Sequence, residues 1–167
     1  GEGEIVAKGP NVMMGYYKDA ERTAKVFNSD GWFKTNDLAV LDAKGNYSIR
    51  GRLSNMILGS SGENIYPEEI EQVINNIDVV DESIVLSRGN KLVALVTFNE
   101  DVLDWDHSGE AEFLKKVEEC KSNILSIVNG KVNRSSRLSA VQVLQEPFEK
   151  TATRKIRRFK YVNVEGI

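Results

Sequence analysis

Two apolar runs separated by a short turn constrain the fold of this chain more than any other feature. The runs cover residues 83–87 and 92–98, and Arg88-Gly89-Asn90-Lys91 lies between them. Gly and Asn both tolerate the positive φ that a tight hairpin requires. The pattern therefore predicts an antiparallel pair of strands near the middle of the chain.

Helical periodicity surrounds this predicted hairpin. Apolar residues at helical spacing follow Pro67, a residue that suits a first helical turn. A second apolar stripe runs along residues 112–128, and residues 138–144 predict a last strand. The predicted fold class is α+β. We expect a strand-rich part over residues 1–53 and a small domain of mixed strands and helices over residues 54–167.

Composition argues against several classes of function. A formal charge of −3 over 167 residues gives no general attraction for nucleic acid. No apolar run approaches the roughly 18 residues of a membrane span, so any membrane contact is expected to be peripheral. The single cysteine, Cys120, cannot form an internal disulfide, and the single histidine, His107, belongs to no spaced ligand set. We expect a cytoplasmic protein without a metal site, and a half-buried thiol at Cys120.

A local basic cluster near the end of the chain allows two interpretations. It could bind nucleic acid or direct nuclear import, or it could form the solvated face of a short helix over residues 153–161. A cluster this short, in a chain of negative charge, favours the solvated face. The cluster comprises Arg154, Lys155, Arg157, Arg158 and Lys160, and we expect the last three to lie on that solvated face.

Two nearby segments carry a more specific pattern. Residues 50–57 read Arg-Gly-Arg-Leu-Ser-Asn-Met-Ile, and residues 61–71 read Ser-Gly-Glu-Asn-Ile-Tyr-Pro-Glu-Glu-Ile-Glu. This pattern resembles the domain junction of the adenylate-forming superfamily, which includes acyl-CoA synthetases, the adenylation domains of peptide synthetases and firefly luciferase. Within the superfamily it is most similar to long-chain fatty-acid–CoA ligases. Further matching segments, in the order of the family, are residues 3–6, 15–17, 31–37 and 150–158.

The resemblance implies a mobile C-terminal lid domain, preceded by the strand-rich end of a large N-terminal domain. The implied activity is the conversion of a carboxylic acid, here a fatty acid, with ATP to acyl-AMP and then with coenzyme A to acyl-CoA. The first residue is Gly1 rather than Met, and we expect the main partner to be a missing N-terminal domain of the same polypeptide. The chain alone is then expected to be inactive, and Mg²⁺ is expected for the full enzyme but not on these residues.

Two alternatives remain open. One is the adenylation domain of a peptide synthetase, whose acceptor is a carrier-protein thiol. The other is a non-catalytic interaction module that has kept the fold.

Three residues match catalytic and nucleotide-binding positions of the family. Lys155 matches the lysine whose ammonium meets the substrate carboxylate and the α-phosphate as negative charge develops. Asp37 matches the aspartate that accepts hydrogen bonds from both ribose hydroxyls, a geometry that two carboxylate oxygens fit. Arg52 matches the arginine that reaches the ribose or phosphate oxygens of the same nucleotide.

The loop before Pro67 and the hinge have expected roles of their own. In the family this loop approaches the pantetheine arm of the thiol substrate, and the residues that match it are Ser60, Ser61, Gly62 and Glu63. Ser54 matches the hinge position, where Asp or Lys is common. Two further departures are Asn36 and Arg154, which stand where the family usually has glycine. Asn tolerates positive φ readily and Arg less so.

Overall fold

The computed structural model describes residues 1–99 and 109–162, and the chain divides into two compact units after Met56. Unit 1 is Gly1–Met56, and unit 2 begins at Ile57. Each unit has its own three-stranded sheet, and helices occur in both. The predicted α+β fold class is confirmed. Within the described residues, none of the helices is long and apolar enough to cross a membrane.

Unit 1 is an antiparallel sheet in the order β1-β2-β3, with one short helix between its first two strands. The strands are β1 (Glu2–Ala7), β2 (Phe33–Leu41) and β3 (Tyr47–Arg52), and the helix is α1 (Ala20–Val26). A short 3-10 turn, Leu53–Asn55, follows β3. The Asp42 carboxylate accepts the backbone N–H groups of Lys44 at 2.7 Å and Asn46 at 2.9 Å, which shapes the β2–β3 turn.

In its described residues, unit 2 combines a two-stranded ribbon, a three-stranded sheet, three α-helices and a 3-10 turn at Arg134–Ser136. The ribbon pairs β4 (Ile57–Leu58) with β5 (Asn64–Ile65). In the larger sheet the order is β6-β7-β8, with β6 and β7 antiparallel and β7 and β8 parallel. Its strands and the helices are β6 (Val80–Arg88), β7 (Lys91–Phe98), β8 (Leu138–Val143), α2 (Pro67–Asn75), α3 (Glu110–Lys131) and α4 (Phe159–Val162).

The central hairpin forms where the sequence predicts it. Arg88 pairs with Lys91, and the two turn residues take positive φ, 55° at Gly89 and 61° at Asn90. Two consecutive residues with positive φ match the right-handed twist of the flanking strands. The prediction made from the turn sequence is confirmed.

Strand β7 is buried on both faces. The side chains of Ala94 and Val96 belong to one apolar cluster, and those of Val93 and Leu95 belong to another. This alternation follows from the period of two along a strand. On the first face α2 and α3 contribute Ile70, Ile74, Ile124 and Val128. On the second face the cover comes from residues near the C-terminal end, namely Phe148, Ile156 and Tyr161.

The helix predicted over residues 153–161 is largely wrong. Residues 150–156 form a closed turn, and the helix α4 begins only at Phe159. One backbone hydrogen bond and one backbone angle are incompatible with a longer helix. The Thr151 N–H donates to the Lys155 carbonyl at 2.8 Å, and Arg154 takes a φ of 60°, which lies outside the right-handed helical region.

Shortening a side chain on the second face of β7 should lower stability strongly. Leu95 is 0% exposed, so Leu95→Ala should reduce the free energy of unfolding by about 2–5 kcal/mol. Leu114, which is 56% exposed on α3, provides the matched control, and Leu114→Ala should change stability by no more than about 0.5 kcal/mol. Urea unfolding followed by circular dichroism measures both. Equal losses in the two variants would contradict the two-faced burial of β7.

Candidate active site

Asp37 and Arg52 lie opposite each other on neighbouring strands of unit 1. They are partners in the β2–β3 register, and Arg52 Nη1 donates to Asp37 Oδ1 at 2.8 Å. Their side chains are 32% and 45% exposed, respectively. Among the described residues, Asp37 Oδ2 accepts no hydrogen bond. The pair therefore presents one free carboxylate oxygen and several guanidinium donors to an incoming polar ligand.

The residue before Asp37 has the backbone conformation that glycine usually supplies. Asn36 takes a φ of 65°, its N–H donates to Glu4 Oε1 at 2.9 Å, and its side-chain amide donates to Ser54 Oγ at 2.8 Å. These contacts hold Asn36 in a left-handed conformation that Asn tolerates. They also link the predicted hinge residue, Ser54, to the strand that carries Asp37.

The loop between β4 and β5 borders a cleft of about 850 Å³ in unit 2. Of the four predicted loop residues, Ser60, Ser61 and Glu63 line it, and Gly62 shapes the turn with a φ of 85°. A Cβ at Gly59 would lie 2.4 Å from Glu63 Oε1, so a larger residue there would require the Glu63 side chain to move. The cleft is also lined by three cationic residues, Lys91, Arg134 and Arg137.

Lys155 lies on the turn that closes the C-terminal segment. The turn is fixed by a bridge between Lys150 and Ile156, by the Thr151–Lys155 backbone hydrogen bond, and by the Arg154 N–H, which donates to the Thr151 carbonyl at 2.9 Å. The Lys155 side chain is exposed. Arg154 takes the left-handed conformation of a glycine position, with a φ of 60°. The backbone arrangement therefore forms without glycine.

Lys155 differs from the two lysines on either side of it. Lys150 Nζ lies 2.7 Å from Glu82 Oε2, and the Lys160 ammonium pairs with the Glu149 carboxylate. Within residues 1–99 and 109–162, the Lys155 ammonium makes no hydrogen bond or ion pair. Of these three side chains, Lys155 is the one whose charge remains available to a ligand.

The interpretation of Arg158 as part of a solvated face is wrong. Arg158 Nη2 hydrogen-bonds Glu71 Oε2, and the side chains are 21% and 9% exposed. Glu71 Oε1 also accepts the Val85 N–H at 2.6 Å. Burial raises the pKa of Glu71, while Arg158 and the Val85 N–H oppose that rise. A signal was present in the sequence, because Glu71 falls on the buried stripe of α2 with Ile70 and Ile74.

The single cysteine lies on α3 and is not fully exposed. Cys120 is partly buried, and this burial, with the neighbouring Glu119 charge, raises the pKa of its thiol. His107 lies outside the described residues. Among residues 1–99 and 109–162 there is no group of three or more His, Cys, Asp and Glu side chains that could hold a metal ion.

Comparison with protein families decides the identity of this arrangement. The profile described as "AMP-binding enzyme C-terminal domain" matches residues 54–163, which is more than half of the chain. This chain belongs to that family. The AMP-binding C-terminal domain begins in this match at Ser54, the residue that contacts Asn36.

Relatives of this AMP-binding C-terminal domain include two CoA ligases. The chain is 35% identical over 164 residues to the 2-succinylbenzoate–CoA ligase of Listeria innocua, covering 95% of this chain and 31% of that protein. It is 34% identical over 162 residues to the indoleacetate–CoA ligase of Aromatoleum aromaticum, covering 93% and 28%. The chain thus spans less than a third of the length of these relatives.

A solved structure of similar fold contains ATP. The crystal structure of ATP-bound MatB from Rhodopseudomonas palustris superposes with a TM-score of 0.72 and 25% identity, covering 96% of this chain and 30% of that chain. Sequence and fold therefore point to the same region of larger enzymes.

Replacing Arg154 tests its left-handed backbone. A left-handed conformation costs a non-glycine residue about 1–2 kcal/mol, and glycine loses about 0.5–1 kcal/mol more entropy on folding. Arg154→Gly should therefore keep or slightly raise the stability of the chain. Arg154→Val, which places a β-branched residue at positive φ, should lower it. Thermal unfolding of the three proteins measures the order, and a valine variant as stable as the parent would contradict the conformation.

Proposed function

We propose that this chain is the C-terminal portion of an ATP-dependent acid–CoA ligase. In the first step a carboxylate oxygen attacks the α-phosphorus of ATP, the bond to pyrophosphate breaks, and acyl-AMP forms. In the second step the thiol sulfur of coenzyme A attacks the acyl carbon, the bond to AMP breaks, and acyl-CoA forms. Acid, ATP and coenzyme A thus give acyl-CoA, AMP and pyrophosphate.

The available ammonium of Lys155 is the main support for this proposal. Negative charge develops on the α-phosphate and the attacking carboxylate, and a positioned cation stabilises it. The exposed Lys155 side chain has no acidic partner among the described residues, whereas Lys150 and Lys160 have one each. A point charge on a long stem suits a group that must reach an oxyanion.

Asp37 and Arg52 are proposed to hold the nucleotide of ATP. The Asp37 carboxylate would accept the ribose hydroxyls, and Arg52 would donate to ribose or phosphate oxygens. Both side chains are partly exposed, and their mutual ion pair is solvent-screened. Exchange of that contact for a ligand therefore carries a small penalty.

The cleft beside the β4–β5 loop is proposed to face coenzyme A. Ser60, Ser61 and Glu63 line it, and Gly62 lies in the same loop. The cations Lys91, Arg134 and Arg137 surround it, and coenzyme A carries phosphates that such cations attract. A thiol acceptor that carries phosphates fits this lining.

We propose that the acid substrate consists of a carboxylate attached to a largely apolar group. The more specific prediction is a fatty acid. The names of the relatives broaden this class, because 2-succinylbenzoate and indoleacetate both carry aromatic rings. A fatty acid, an aryl acid and an alicyclic acid share the reacting carboxylate. Lys155 would serve each in the same way.

Lys155→Ala in the full-length enzyme should separate the two steps. Loss of one contact to developing charge costs about 2.7–4 kcal/mol, or a hundredfold to a thousandfold in rate. Acyl-adenylate formation, measured by pyrophosphate exchange, should fall by that factor. Conversion of supplied acyl-adenylate and coenzyme A should persist, because this charge is needed only in the first step.

Lys150→Ala is the matched control for this prediction. It removes the same charge five residues earlier and breaks a partly exposed ion pair, so both steps should stay close to the parent. Arg154→Ala should likewise be much milder than Lys155→Ala. Adenylation by the Lys155 variant within a few fold of the parent would move the catalytic lysine to Lys150 or Lys160.

Ser54→Pro tests the proposed hinge. Proline fixes its own φ and disfavours the helical region for the residue before it, Leu53, which lies in the 3-10 turn. One of two lid poses should be hindered, so the rates of adenylation and thiol transfer should change by different factors. Ser54→Ala removes only the hydroxyl that accepts from Asn36 and should leave the two rates nearly matched. Equal changes in the proline variant would place the hinge elsewhere.

A further inference from the structure

The Glu71 carboxylate is the point at which three parts of unit 2 meet. Glu71 lies on α2, and its Oε1 accepts the Val85 N–H of β6 at 2.6 Å. Its Oε2 accepts from Arg158, which lies three residues after Lys155. Arg158 Nη1 also lies 3.4 Å from the Val85 carbonyl. The contacts form a closed loop through α2, β6 and the segment that carries Lys155.

Burial distinguishes this ion pair from the others on the same segment. The Glu71 side chain is 9% exposed, whereas Glu82, which pairs with Lys150, is 27% exposed and Glu149, which pairs with Arg157 and Lys160, is 46% exposed. A shielded pair with satisfied hydrogen bonds holds its geometry, and an exposed pair is weakened by water and salt. Glu71 is therefore the acidic anchor with the firmest hold on the segment.

The anchor acts close to Lys155. Ile156 packs into the second apolar cluster and bridges to Lys150, so the backbone on both sides of the Lys155 turn is fixed. Arg158, through its contacts with Glu71 and Val85, fixes the backbone that follows the turn. Small displacements of a charged group from a reacting centre cost large factors in rate.

We propose that Glu71 and Arg158 are positioning residues: their buried ion pair sets the turn that presents Lys155, and through it the rate of acid activation. The inference rests on the proposed function, in which Lys155 acts on the developing charge. Neither Glu71 nor Arg158 needs to touch the substrate. A pair that only stabilised the fold would change the amount of active enzyme and would affect both steps alike.

Glu71→Gln in the full-length enzyme is the first test. Glutamine keeps the shape and an acceptor for the Val85 N–H but removes the charge that holds Arg158. We expect kcat for adenylation to fall about tenfold to a hundredfold, with KM for ATP and acid little changed. Thiol transfer from supplied acyl-adenylate should remain within about twofold of the parent by the same reasoning.

Glu149→Gln is the matched control, because it makes the same chemical change on the same segment at an exposed pair. Both steps should stay within about twofold of the parent. If Glu71→Gln does not accumulate as folded enzyme, Arg158→Lys offers a milder test, because it keeps a cation near Glu71 and loses the fixed fork that also faces Val85. It should lower adenylation and spare thiol transfer.

A double-mutant cycle with Lys155→Ala decides between positioning and stability. If the pair acts through Lys155, then Glu71→Gln should have no further effect on adenylation in the Lys155→Ala background. Equal losses in both steps, or adenylation by Glu71→Gln within about twofold of the parent, would overturn the inference alone. An unimpaired Lys155→Ala enzyme would instead overturn the assignment of Lys155, and the inference with it.

Discussion

The two-sided burial of β7 is the constraint on which the rest of unit 2 depends. One face is covered by α2 and α3, which are long enough to present apolar stripes. Among the described residues, the other face is covered by Phe148, Ile156 and Tyr161 rather than by a helix of similar length. The segment with Lys155 is thus a structural cover as well as the carrier of a charged group. Burial of Phe148 before the exposed turn and of Ile156 directly after Lys155 holds the backbone of this segment in place.

The Asp37–Arg52 and Glu71–Arg158 ion pairs differ in their exposure to solvent. The Asp37 and Arg52 side chains are partly exposed, so water screens their ion pair. Replacing that contact with contacts to a ligand would therefore cost little free energy. The pair between Glu71 and Arg158 is shielded, and breaking it leaves a buried charge without a partner. Under the proposed function, the exposed pair would bind the nucleotide and the shielded pair would position the segment that carries Lys155.

Local signals in the sequence predict the elements of the fold well. The Gly89-Asn90 turn, the proline at the start of α2 and the apolar stripe of α3 each act over a few residues, and each is found. The α+β class follows from them. Whether the site residues act as the family resemblance implies stays a prediction, although the structure brings Asp37, Arg52 and Ser54 close together in unit 1.

Local sequence patterns do not predict contacts between residues that are far apart in the sequence. Glu71 and Arg158 are 87 residues apart, and no local pattern links them. The sequence of the basic cluster favours a solvated face because it does not show that Arg158 pairs with Glu71, or that Arg157 and Lys160 pair with Glu149. The short helix was misplaced for a related reason, since backbone hydrogen bonds hold Arg154 in a conformation that its own preference disfavours.

The left-handed backbone at Arg154 also affects how such enzymes are found. Hydrogen bonds within residues 151–155 fix the turn, so the shape survives a residue that a motif written with glycine would reject. A search that demands glycine before the lysine would pass over this chain. One that describes the turn by its backbone angles would retain it. Divergent members of the family are then better identified by the backbone conformation of this turn than by the residue types of a sequence motif.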